Sequence, residues 1–241
     1  MKRLLTGALF TLLISIYANA SIPVQDMSPD ALALEYYGTL NGQSTFDDDR
    51  SVLAMHMFRM HYSPSPALRL SLGVGSSNFY IDNVVRAQKG LSLTAGAALI
   101  IPKIHPFISL TTGFDGYYIS CSGEQTRSVG LLSVPYAGVI LHVSEFVDLE
   151  VGGSYSAFDV QKKYLDTNSP FSCIEDQARI YSTLTLHDPD NGVYLSGGLS
   201  CAANTAKTLR ESLTNSATVW FQFGIILKQD KEAVKNDSIY W

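Results

Sequence analysis

The residues able to do chemistry in this chain of 241 fall into a few recognisable sets. Glu35, Arg59, Arg69, Asp148, Glu150, Arg179 and Lys228 are single charges set within stretches that alternate apolar with polar or small residues. A charge withdrawn from water needs a partner, so these predict either internal ion pairs or the lining of a narrow, selective passage. His61, His105, His142 and His187 each sit at or beside a short link rich in turn formers. Imidazoles on one rim are potential ligands for a transition metal. Separate links hold them too far apart for one ion, and none are spaced i, i+2 or i, i+4, so no metal site is expected. His142-Val143-Ser144 with Glu150 has the composition of a nucleophile, base and carboxylate, but its spacing aims none of these at another. No catalytic residue and no cofactor are therefore expected. Cys121, Cys173 and Cys201 are an odd number, leaving at least one thiol unbridged. Asp47-Asp48-Asp49 offers carboxylates to a divalent cation, or simply a solvated acidic loop.

The elements positioning these residues follow from a period of two. In 68–75 every even residue is aliphatic and every odd one charged or small. Successive side chains of a strand leave opposite faces, so this is the strand period. Ten such segments are expected, at roughly 31–40, 51–62, 67–82, 89–101, 106–120, 128–143, 146–160, 176–187, 192–203 and 214–228, with eight as the alternative count. Their links alternate between short (63–66, 102–105, 144–145, 188–191) and long (41–50, 83–90, 121–127, 161–175, 204–213). Strands that cross a bilayer repeatedly have tight turns on one side and longer loops on the other. The fold class expected is all-β: a closed, antiparallel, up-and-down transmembrane β-barrel occupying 31–228. Residues 1–20 read as a signal peptide, with Lys2 and Arg3 before an apolar run and Ala18-Asn19-Ala20 at the cleavage site. Residues 21–30 then form a periplasmic N-terminal segment, and 229–241 a charged tail ending in the aromatic Trp241.

Parity assigns the faces. Leu68, Leu70, Leu72 and Val74 are expected toward lipid, as are Leu91, Leu93, Leu99, Val147, Leu149, Val151, Val219, Phe221, Phe223, Ile225 and Leu227. The opposite parity is polar and small, and it carries the single charges. Arg59, Arg69, Asp148, Glu150 and Lys228 form the expected lumen cluster near the periplasmic strand ends. In ten strands the second and seventh lie across the barrel, so Arg59 is expected to face Asp148 or Glu150. Tyr62, Phe107 and Phe146 beside short links, and Tyr117, Tyr118, Tyr155 and Phe158 nearer long ones, suggest two aromatic belts. Pro135 lies inside the sixth strand, where its missing N–H calls for a local bulge. The three cysteines map to the exterior end. The stretch 161–173 is long enough to bring Cys173 to Cys121, so a Cys121–Cys173 disulfide is expected, with Cys201 unpaired.

Without Lys2 and Arg3 the formal charge of -5 becomes -7, and no basic stripe remains to bind nucleic acid. A mean hydropathy near zero suits a barrel, where only alternate residues face lipid. Leader, alternating segments, short periplasmic turns and a C-terminal aromatic together resemble the small outer-membrane barrels of the opacity and OmpA/OmpW type. The resemblance is architectural and carries no motif. It departs in strand number and in the charged tail after Lys228, which leaves open whether 219–227 or the extreme terminus is the assembly signal. It implies an outer-membrane location and, as partners, outer-membrane lipids, lipopolysaccharide and the barrel assembly machinery. The function expected is a non-enzymatic barrel, structural or a narrow passage for small solutes. The alternative is a surface adhesin binding a ligand through loops, with Tyr164, Leu165, Phe171 and Ile174 as apolar contacts. An omptin-like protease or lipid A deacylase is disfavoured, since the outer links hold no His.

Overall fold

The computed structural model describes residues 28–44, 50–81, 84–123, 126–164, 170–203 and 217–228. Ten strands run in chain order: β1 (Ala31–Ser44), β2 (Arg50–Ser65), β3 (Leu68–Ile81), β4 (Val84–His105), β5 (Ile108–Ser122), β6 (Thr126–Ser144), β7 (Val147–Tyr164), β8 (Pro170–Asp188), β9 (Val193–Ala202) and β10 (Thr218–Lys228). Each pairs with its sequence neighbours, and β1 pairs antiparallel with β10, closing the barrel. Closure removes the free sheet edges, as lipid requires of a spanning sheet. The count is ten and the alternative of eight is set aside. The expected leader at 1–20, residues 21–27, Asp47-Asp48-Asp49 and the expected tail 229–241 lie outside the described residues.

The alternation sorts as its period dictates. Leu70, Leu72, Val74, Leu91, Leu93, Leu99 and the odd residues 219–227 of β10 face outward, and Arg69, Thr94, Asp148, Glu150 and Gln222 are buried within. Tyr62, Phe107 and Phe146 near the short turns, and Tyr118 and Tyr155 toward the other end, stand on the outside. Tyr117 does not; it is buried in the lumen. The side chain of Phe158 lies outside the described residues.

Two expectations change. The long link at 161–175 is mostly ladder: β7 and β8 stay paired up to Lys163 opposite Pro170. Polar residues there read as loop, yet above the bilayer a strand needs only its hydrogen bonds, not an apolar face. Pro135 also enters without a bulge. The register between β6 and β7 is the same on both sides of it, from Ser133 opposite Ala157 to Tyr136 opposite Ser154. Pro135 keeps its place opposite Phe114 on β5.

Candidate functional site: the barrel lumen

The lumen divides into a charged lower half, toward the short turns, and an aromatic upper half. In the lower half the β1–β2 register sets Glu35 directly opposite Arg59. Arg59 Nε donates to Glu35 Oε1 at 2.7 Å, and Nη2 lies 2.7 Å from the same oxygen. Tyr194 from β9 donates to Oε2 at 2.9 Å, Gln222 from β10 donates to Oε1 at 3.2 Å, and His61 Nε2 stands 3.4 Å away. The Arg59 guanidinium also lies 3.9 Å from the centroid of the Tyr37 ring. Four strands across the closing seam are thus tied to one carboxylate. Such a pair offsets its desolvation better when further hydrogen bonds satisfy it, and here both Glu35 oxygens accept them.

A second group lies one rung above the turns. Asp148 on β7 sits 2.7 Å from His142 Nδ1 on β6, and its other oxygen is 3.4 Å from His187 Nε2 on β8. His142 Nε2 in turn meets the Ser109 hydroxyl of β5 at 2.7 Å. Hydroxyl, imidazole and carboxylate stand in the order of a hydrolytic triad. Ser109, however, is fully buried, with no surface for a substrate carbonyl to approach. The arrangement binds four strands together rather than presenting a nucleophile.

The structure therefore corrects the expected charge cluster. Arg59 does not reach Asp148 or Glu150 across the barrel; it pairs with Glu35 on the adjacent strand. Glu150 accepts from the Tyr181 hydroxyl at 2.8 Å. Arg69 clamps the β2–β3 turn, donating to the Ser63 hydroxyl and to the Ser65 and Pro66 carbonyls at 3.0 and 3.2 Å. Lys228 pairs with Leu32 in the ladder, and its side chain lies outside the described residues. His61, His142 and His187 are inward-facing partners of carboxylates, and His105 is exposed beside its turn.

The upper half departs from the polar lining expected of it. Tyr37, Leu53, Met55, Met57, Tyr117, Leu132, Tyr136, Tyr181 and Trp220 form one buried cluster. They come from β1, β2, β5, β6, β8 and β10, on opposite walls of the barrel, so the cluster spans the lumen as well as joining ladder neighbours. Inward glycines make room for the rings. A Cβ on Gly198 would meet Trp220 Cε2 at 2.6 Å, and one on Gly113 would meet Tyr136 Cζ at 2.6 Å. Each glycine stands directly opposite its aromatic in the ladder. The sequence signal was present: a large ring on the inner parity facing a glycine on the neighbouring strand. Above this cluster a cavity of about 50 Å³ remains, with Arg179, Ser200, Thr218 and Trp220 in its wall.

The disulfide expectation is overturned. Cys121 is a free thiol. It is not in a loop: β5 extends through Ser122, and parity turns Cys121 inward, 3.1 Å from the Ser77 hydroxyl. Cys173 is on β8 opposite Val160, with its side chain outside the described residues. Cys201 is free and buried, as expected of the unpaired thiol.

Fold and faces together define a small outer-membrane-type β-barrel. Among solved structures it is similar to the translocator domain of the autotransporter NalP from Neisseria meningitidis, at 11% identity over 85% of this chain and 90% of that one, with a TM-score of 0.53. Matches also include the transport unit of the autotransporter AIDA-I from Escherichia coli (10% identity, 92% and 97% covered, TM-score 0.48) and the Escherichia coli outer-membrane protease OmpT (9%, 85% and 100%, 0.43). At these identities the likeness is one of fold. No protein-family model matches the chain, and no curated protein sequence does.

Proposed function

We propose that the protein is exported to the outer membrane and serves there as a non-enzymatic barrel with a stoppered lumen, a structural element rather than an open pore. The observation that carries this is the cross-lumen cluster of Tyr37, Met57, Tyr117, Tyr136, Tyr181 and Trp220, seated directly above the Glu35–Arg59 network. A small barrel whose interior is filled by side chains leaves no continuous water column. Its partners are outer-membrane lipids and lipopolysaccharide around the wall, and the assembly machinery during insertion. Planar-bilayer recording of the refolded protein tests this: no conductance above background is expected. Steady unitary currents would return the narrow-passage reading.

One observation favours a second role at the cell surface. β7 has 18 residues and β8 has 19, against the 9–11 or so that a tilted strand needs to cross. Their hairpin therefore rises well beyond the bilayer, as a surface-binding element would. Deleting 162–171 and measuring cell adhesion separates the roles: unchanged adhesion removes the surface one.

A further inference from the structure

The outer wall carries a side chain that a lipid-facing surface does not call for. Along β3 and β4 hydrocarbon is met by Leu70, Leu72, Leu91 and Leu93. On β2 the same face holds His56, exposed between Phe58 on the turn side and Ala54 on the other. Six residues separate His56 from Tyr62 at the turn end. At about 3.3 Å per residue and a tilt of about 40° that is roughly 15 Å of height, inside an apolar band about 25 Å tall. Leu40 on β1, beyond the level of His56, is still exposed.

His56 Nδ1 lies 2.7 Å from the Tyr36 hydroxyl on β1. A neutral imidazole and a phenol have two protons to donate between them, and this bond uses one. The other, on Nε2 or on the Tyr36 oxygen, has no acceptor among the described residues. Hydrocarbon chains offer none. Around the pair, Tyr36 packs edge-on against Phe58 at 5.5 Å between ring centroids, and tilted against Phe221 at 5.6 Å. The patch is a fixed aromatic surface, and Phe58, at 70%, is the most exposed large apolar side chain among those described. Ser76, directly opposite His56 on β3, adds an exposed hydroxyl.

We propose that this face of β1, β2 and β10 is where a second copy of the chain docks, forming a two-fold dimer within the membrane. Copies inserted in the same direction share a two-fold axis along the membrane normal, so each residue meets residues of its own depth. His56 then meets the other copy's hydroxyls at the same level, and each patch supplies both donor and acceptor. A lipid chain covers the rings equally well but leaves the donor unpaired; a second copy does both. Rings already held by one another lose little freedom on docking. The interface lies on the outer wall, so it stands or falls apart from the lumen's conductance.

Sedimentation equilibrium of the full-length protein in density-matched micelles tests the interface, over a range of protein-to-detergent ratios. A reversible monomer–dimer equilibrium is expected. Phe58→Ala and His56→Leu should each weaken it by about tenfold or more. His56→Gln, which keeps a donor, should weaken it less than His56→Leu. The leucine variant separates bonding from apolar contact, since it makes the face more apolar and an association of apolar surfaces alone would strengthen. Leu93→Ala, on the outer wall of β4, should leave the equilibrium unchanged. Migration with and without boiling checks that each variant is folded, and Phe58→Ala decides if a His56 variant is not. A monomer at every ratio means that the face takes lipid, and overturns the proposal. So does a dimer that either folded variant, His56→Leu or Phe58→Ala, leaves intact, or one that Leu93→Ala weakens equally.

Discussion

The two halves of the lumen solve the same packing problem in opposite ways. In the lower half the carboxylates are met along the wall: Glu35 by Arg59 and Gln222 on the flanking strands and by Tyr194 one strand further on, and Asp148 by His142 and His187 on either side. These bonds run parallel to the ladder and reinforce it. In the upper half the cluster also joins strands that share no ladder bond, as Tyr136 on β6 meets Tyr181 on β8. Lateral bonding is set by register, which places Glu35 directly opposite Arg59. Cross-lumen packing must match the shapes of rings from five strands, and the cavity beside Arg179 is what it leaves. The lower half thus ties the wall together, and the upper half fills the lumen.

The largest effect expected from breaking this contrast is at Glu35. Glu35→Leu leaves Arg59 buried without its carboxylate and should cost about 3–5 kcal/mol. Glu35→Leu combined with Arg59→Met should recover most of that loss. Urea unfolding in lipid vesicles measures both. Additive losses in the double variant would mean that the pair is not a unit. A smaller effect is expected in the upper half. A valine at Gly198 collides with the Trp220 ring and should cost about 1–3 kcal/mol, with a shift in Trp220 emission in the Trp241→Phe background. The adjacent Gly197→Val is the control, because a Cβ there meets nothing nearer than 3.8 Å. Equal damage at both glycines would show that the ring does not depend on the glycine opposite it. Arg69→Met should cost roughly 2 kcal/mol, since it unties the turn carbonyls held by a charged donor.

Strand number and faces were legible because period-two patterning acts locally: Leu70 and Arg69 declare opposite faces by adjacency alone. The charge partners were not legible. Glu35 meets Arg59 only because the β1–β2 hairpin continues up to Ser44 opposite Arg50, so that the ladder runs where a polar loop was read. A different turn position pairs Glu35 with another residue. The same extension moved Cys121 from a loop into the wall and removed its expected partner. Ser109 and Tyr194 carry no signal in the sequence, because each is an ordinary residue until register delivers it to an imidazole or a carboxylate. The histidines stand out by their position beside turns, and the parity that places Arg59 and Asp148 inside places His61, His142 and His187 there too.

The smallest effect should come from the outer wall. Leu70 is outward-facing and 41% exposed, one residue from the buried Arg69. Lipid chains are as apolar as leucine, so truncating it to alanine exchanges one hydrocarbon contact for another without opening a cavity in a packed core. Leu70→Ala should therefore change stability in vesicles by less than about 1 kcal/mol, within the range of surface substitutions. In the same urea series Arg69→Met should lose more, although the two residues share a strand and a level. If Leu70→Ala were the more damaging of the two, the outer face would be packed against protein instead of lipid. The division between a bonded interior and a solvated exterior, on which the comparison of the two lumen halves stands, would then fail first on β3.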